Sequence, residues 1–95
     1  MTAMFEQTAA GPTAMRRGFL AIPETVRQAR LIAEAQALQW ALPHAVAKDA
    51  ALIVSELLTN SVRATPYQSV TLRMFLVSNG LRIEVWDPSP TLPKP

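Results

Sequence analysis

Residues 69–87, SVTLRMFLVSNGLRIEVWD, decide how this chain folds. From Val70 to Leu76 every second side chain is apolar, with Phe75 the one apolar residue on the other phase, and from Leu81 to Val85 apolar and polar side chains alternate again. A period of two belongs to a strand with one face buried. Asn79-Gly80 tolerates the two positive φ angles of a tight type I′ turn, so the stretch predicts a β-hairpin with strands over about 69–78 and 81–87. A two-residue loop at 79–80 pairs Ser78 with Leu81, hence Leu76 with Ile83, Met74 with Val85 and Leu72 with Asp87. That face is apolar except for Asp87, a carboxylate on the phase where another Val or Leu is due. The opposite face pairs Phe75 with Glu84 and Arg73 with Trp86, which sets Arg73 to lie over the indole.

Upstream of Pro66 the period is 3.6. Residues 24–41 are rich in Ala, Leu, Gln, Arg and Glu, follow Pro23 and carry Glu24 in the first turn, all of which favours a helix. Val26, Ala29, Ala33, Ala37 and Trp40 form its apolar stripe. Leu42-Pro43 interrupts it, and a second helix is predicted over 44–64, ending before Thr65-Pro66, with Ala50, Ile53, Val54, Leu57, Leu58 and Val62 turned inward. Residues 18–22 read as a further strand, and 1–15, small, polar and punctuated by Gly11-Pro12, as a flexible tail preceding one domain over 16–95. Only the two helices are apolar enough to cover the Leu72/Met74/Leu76 and Ile83/Val85 face. The fold class expected is an α+β two-layer sandwich, helices on one face of an antiparallel sheet.

With 95 residues, 49% of them hydrophobic, the chain suffices for one small core. Zero cysteines exclude a disulfide frame and a thiolate metal site, and fit a reducing, cytoplasmic setting. The N-terminus places Glu6 early and Arg16-Arg17 late, the wrong order for a signal peptide. Lys48, Asp49 and Glu56 interrupt the longest apolar helix, which argues against a membrane span. Net charge is +2, but the nine basic residues are scattered along the sequence, and this argues against a nucleic-acid partner.

Three groups can carry chemistry. Asp87 points toward the helix layer, where a carboxylate costs several kcal/mol unless donors or water reach it; an Asx turn with Pro88 would be a purely structural use. Glu56 and Asn60, four apart in SELLTNSVRAT (55–65), share one helix face. An Asn oxygen is a hard ligand suited to Mg²⁺, and a carboxylate one turn earlier can hold or activate a water; polar residues at that spacing equally line ordinary exposed helices. His44, the single histidine, reads as solvated or capping.

Taken together, SELLTNSVRAT (55–65) and LRIEVWDPSP (81–90), with a hairpin between them, resemble the nucleotide-binding half of the GHKL (Bergerat-fold) ATPase superfamily. Their wording is similar to the anti-sigma-factor serine kinase branch, over about residues 19–95. The resemblance implies an incomplete histidine-kinase-like ATPase fold, with ATP and Mg²⁺ as cofactors. It makes Asn60 the Mg²⁺ ligand bridging to the phosphates, Glu56 the catalytic base or water-orienting residue, and Asp87 the reader of the adenine amino group. The reaction implied is phosphoryl transfer from ATP to a protein serine, with a sigma factor or an anti-anti-sigma protein as partner. Two local departures stand out: Ala64 occupies a position where the family commonly has histidine, and Pro88-Ser89-Pro90 replaces a glycine-bearing motif. These residues also hold only three glycines, with neither an ATP lid nor a second glycine box. Weak nucleotide binding and little or no catalysis are therefore expected, the alternative being a non-catalytic interaction module. A strand over 81–86 lacking its next neighbour is expected to leave an open edge and to favour a homo-oligomer.

Overall fold

The computed structural model describes residues 13–78 and 80–87. Along the chain run strand β1 (Ala14–Leu20), helices α1 (Pro23–Gln39) and α2 (His44–Ala64), and strands β2 (Ser69–Val77) and β3 (Gly80–Trp86). The strands form one antiparallel sheet in the order β1-β2-β3. Both helices pack on one face of it and against each other. This is the predicted α+β arrangement, consistent with part of a histidine-kinase-like ATPase fold.

The layers meet because the two periodicities agree. Val70, Leu72 and Met74 of β2 are buried under Ala29 and Ala33 of α1 and Val54 and Leu58 of α2. Alanines dominate the buried stripes of both helices: Ala29, Ala33 and Ala37 on α1, and Ala47, Ala50 and Ala51 on α2. Side chains this small let helix axes approach closely. Of the apolar set assigned to α2 from sequence, Ile53 instead faces solvent, 44% exposed. The buried positions 47, 50, 51, 54, 58 and 61 place the stripe one residue away from it, and the last of them is a serine.

The hairpin forms in a register two residues from the expected one. Val77 pairs with Gly80, so Leu76 faces Leu81, Met74 faces Ile83, Leu72 faces Val85 and Thr71 faces Trp86. The connection is therefore 78–79 rather than 79–80; Asn79 itself lies outside the described residues, as do residues 1–12 and Pro88-Ser89-Pro90. Because side chains alternate with period two, a slip of two leaves every side chain on its expected face. What changes is the partner: Arg73 lies opposite Glu84 instead of Trp86, and its guanidinium sits over Phe75, 5.2 Å from the ring centroid.

Strand β1 begins four residues earlier than expected and includes Arg16 and Arg17. Pairing with the full length of β2, from Ala14–Phe75 to Leu20–Ser69, sets its limits. At the other end of β1 the chain junctions are bonded together. Ala21 N–H donates to Gln68 O at 2.8 Å and Tyr67 N–H to Ala21 O at 2.9 Å. Tyr67 takes φ 65° at the third position of the turn that opens with Thr65-Pro66.

Helix α1 stops in a Schellman motif. Leu42 N–H donates to Ala37 O and Ala41 N–H to Leu38 O, with Ala41 at φ 61°. An L-residue in that region costs about 1–2 kcal/mol, a cost that glycine escapes. Ala41 is exposed, so Ala41→Gly is expected to stabilise the domain by about 1 kcal/mol in chemical denaturation. A loss of stability would contradict this account of the helix end.

Candidate functional site

The site begins with two polar residues on apolar phases. Asp87 follows Val85 on the helix-facing side of the sheet, and Ser61 completes the buried stripe of α2, 5% exposed. They meet: Ser61 Oγ donates to Asp87 Oδ2 at 3.5 Å. At 3.5 Å this contact lies at the outer limit of a hydrogen bond and is weak, and a carboxylate accepts about four hydrogen bonds. Asp87 is half-buried, so it retains access to solvent and to a ligand. Ser61 was not singled out from the sequence. The available signal was its position, seven residues after Val54 and three after Leu58, where a buried hydroxyl needs a partner from across the layers.

Asn60 precedes Ser61 on α2 and is exposed, and Glu56 is exposed one turn earlier. The three sequence-selected residues thus come from two elements, with Asp87 reaching α2 next to Asn60. Ala64 is exposed one further turn along, and Thr65 closes the helix with its N–H and its hydroxyl both donating to Ser61 O.

Around Asp87 the helix layer is thin. Leu81, Ile83 and Val85 of β3 are only half-buried, whereas Val70, Leu72 and Met74 of the central strand are covered. An apolar strip ending in a carboxylate has the chemistry to receive a flat ring that carries an exocyclic N–H donor.

The sequence profile of the histidine kinase-like ATPase domain matches residues 19–95, running from β1 through both helices and beyond Asp87. The chain belongs to that family. No curated protein matches it. Membership of the histidine kinase-like ATPase family implies ATP as the general ligand of the domain. Among the described residues no group of three or more His, Cys, Asp or Glu gathers to hold a metal ion. Mg²⁺ keeps several waters and is held mainly by substrate phosphates with few protein ligands, and the exposed Asn60 carboxamide oxygen is a hard donor of a kind it can take. Among the described residues no helix is long and apolar enough to cross a membrane.

Proposed function

We propose that this histidine kinase-like ATPase domain is an ATP-binding regulatory domain of the anti-sigma-factor serine kinase type, working in the cytoplasm on a sigma factor or an anti-anti-sigma protein. The observation that carries the reading is Asp87 on the helix side of the sheet, bonded to Ser61 and adjacent in α2 to Asn60. ATP would supply the transferable γ-phosphoryl group. Asp87 accepts the adenine amino N–H, Leu81, Ile83 and Val85 exclude water from the ring, and the Asn60 carboxamide oxygen ligates Mg²⁺ carried on the phosphates. Glu56, exposed one turn from Asn60, orients an attacking hydroxyl or accepts its proton.

Two features of these residues argue for weak binding and slow or lost transfer. Ala64 offers no side-chain donor, and three glycines in all provide no Gly-rich loop to wrap phosphates in backbone N–H groups. Calorimetric titration of the 95-residue chain with Mg·ATP is expected to give saturable binding with Kd weaker than about 1 μM. Submicromolar affinity would contradict this account of the phosphate contacts.

A second reading, a non-catalytic module that acts by binding protein, draws support from Ala64 and from β3, which lies at the sheet edge among the described residues. An unpaired strand edge is a template for a second copy of the chain or for a partner strand. The same sample separates the readings: no heat from Mg·ATP, together with sedimentation as a dimer, favours the module, whereas nucleotide binding by a sedimenting monomer excludes it.

A further inference from the structure

The sheet face turned away from the helices has a composition that the linear sequence conceals. Pairing brings Arg16 opposite Arg73, Phe75 opposite Arg82 and Thr71 opposite Trp86. Three of the basic residues therefore share one face, and among its described residues Glu84 is the single acid. That gives the face a charge of +2, equal to the formal net charge of the whole chain.

Glu84 organises part of this surface. Its carboxylate lies 3.8 Å from Arg73 Nη1 and 3.6 Å from Arg82 Nε, and accepts the Trp86 indole N–H at 2.9 Å. The last bond restrains the indole while the residue stays 46% exposed. Arg73 and Arg82 flank the Phe75 ring at 5.2 and 5.0 Å. Arg16 has no carboxylate partner among the described residues and lies directly across from Arg73, a like-charge pairing that costs stability unless an anion comes between. Between these groups an open concavity of about 320 Å³ is lined by Arg16, Thr71, Arg73 and Trp86.

We propose that this open sheet face binds single-stranded nucleic acid, with backbone phosphate held by Arg16 and Arg73 and a base stacked on Trp86. The ligand must bring both an anion and a flat ring, since the concavity presents guanidiniums and a hydroxyl beside a restrained indole. Nucleic acid carries both at the spacing of one nucleotide, and aromatic side chains on a sheet are a recurring platform for unpaired bases. An acidic peptide would occupy the guanidiniums and leave the indole unused. The surface lies on the opposite side of the sheet from Asp87, so it is independent of the ATP site and of the reading that rests on it.

The test is fluorescence anisotropy of a labelled oligo(dT) titrated with the 95-residue chain at low salt. Saturable binding is expected, with log K falling against log salt with a slope of about −1.4, as the two phosphate contacts of Arg16 and Arg73 on a single strand require. Arg16→Gln is expected to weaken binding several-fold and to reduce that slope by about 0.7. Trp86→Ala is expected to weaken it at least about fivefold, the lower end of what one base stack contributes. Quenching of indole fluorescence by the oligonucleotide in the unsubstituted chain reports the same contact should Trp86→Ala fail to fold. Absence of saturable binding, equal binding by Arg16→Gln, or displacement of the oligonucleotide by polyglutamate at matched charge would each overturn the proposal. Displacement by Mg·ATP would overturn it too, by moving the oligonucleotide to the other side of the sheet.

Discussion

Leu72→Ala is expected to destabilise the domain by about 2–5 kcal/mol, the range for truncating a fully buried leucine without collapse of the site. Leu72 is 2% exposed at the centre of the middle strand, within the cluster formed by Val54, Leu58, Met74, Ala29 and Ala33. The helices above it contribute alanines, which have no rotamers with which to refill a void. Domains of this size have roughly 5–15 kcal/mol in total and small ones lie toward the lower end, so a large fraction of the population should lose structure. Urea unfolding followed by far-UV circular dichroism checks this, with Leu52→Ala as the control. Leu52 is 58% exposed on α2 and its truncation should change stability by no more than about 0.5 kcal/mol. Equal effects of the two substitutions would contradict the placement of the helix layer over β2.

The second large effect falls on ligand binding. Asp87→Asn preserves the shape of the side chain but replaces a charged acceptor with an amide, and a hydrogen bond to a charged group contributes about 1.5–3 kcal/mol. Affinity for Mg·ATP should therefore fall by roughly 10- to 150-fold, with the circular dichroism spectrum unchanged. Adenosine alone should lose as much, because the contact is to the base. Asn60→Ala should separate the two halves of the ligand by weakening Mg·ATP while leaving adenosine binding intact. If Asp87→Asn bound Mg·ATP as well as the unsubstituted chain, the purine would not be at Asp87.

Much of this was legible in the residues, for reasons that can be stated position by position. The switch of period at Pro66 located the hairpin, and Leu72, Met74, Ile83 and Val85 all lie on the helix-facing side as their alternation requires. The register did not follow, because Asn79-Gly80 is a strong turn signal while pairing is decided by the whole ladder, and a two-residue slip leaves the buried face unchanged. Gly80 at φ 147° is instead paired with Val77. The anomaly of Asp87 was visible, but its partner was not, since Ser61 is one unremarkable hydroxyl in a helix until its burial is known. The charge on the outer sheet face was hidden for a related reason. Arg16, Arg73 and Arg82 are distant in sequence and are brought together only by strand pairing.

A single measurement tests the ATP site most directly: a two-dimensional amide NMR titration of the isotopically labelled 95-residue chain with Mg·ATP. Asn60, Ser61, Val85 and Asp87 should shift together along one saturation curve, while Arg16, Thr71 and Arg73, beneath the opposite face of the sheet, should move far less. Shifts centred on that outer face, or none at millimolar nucleotide, would contradict the assignment of the helix side of β3 as the place where this histidine kinase-like ATPase domain takes its ligand.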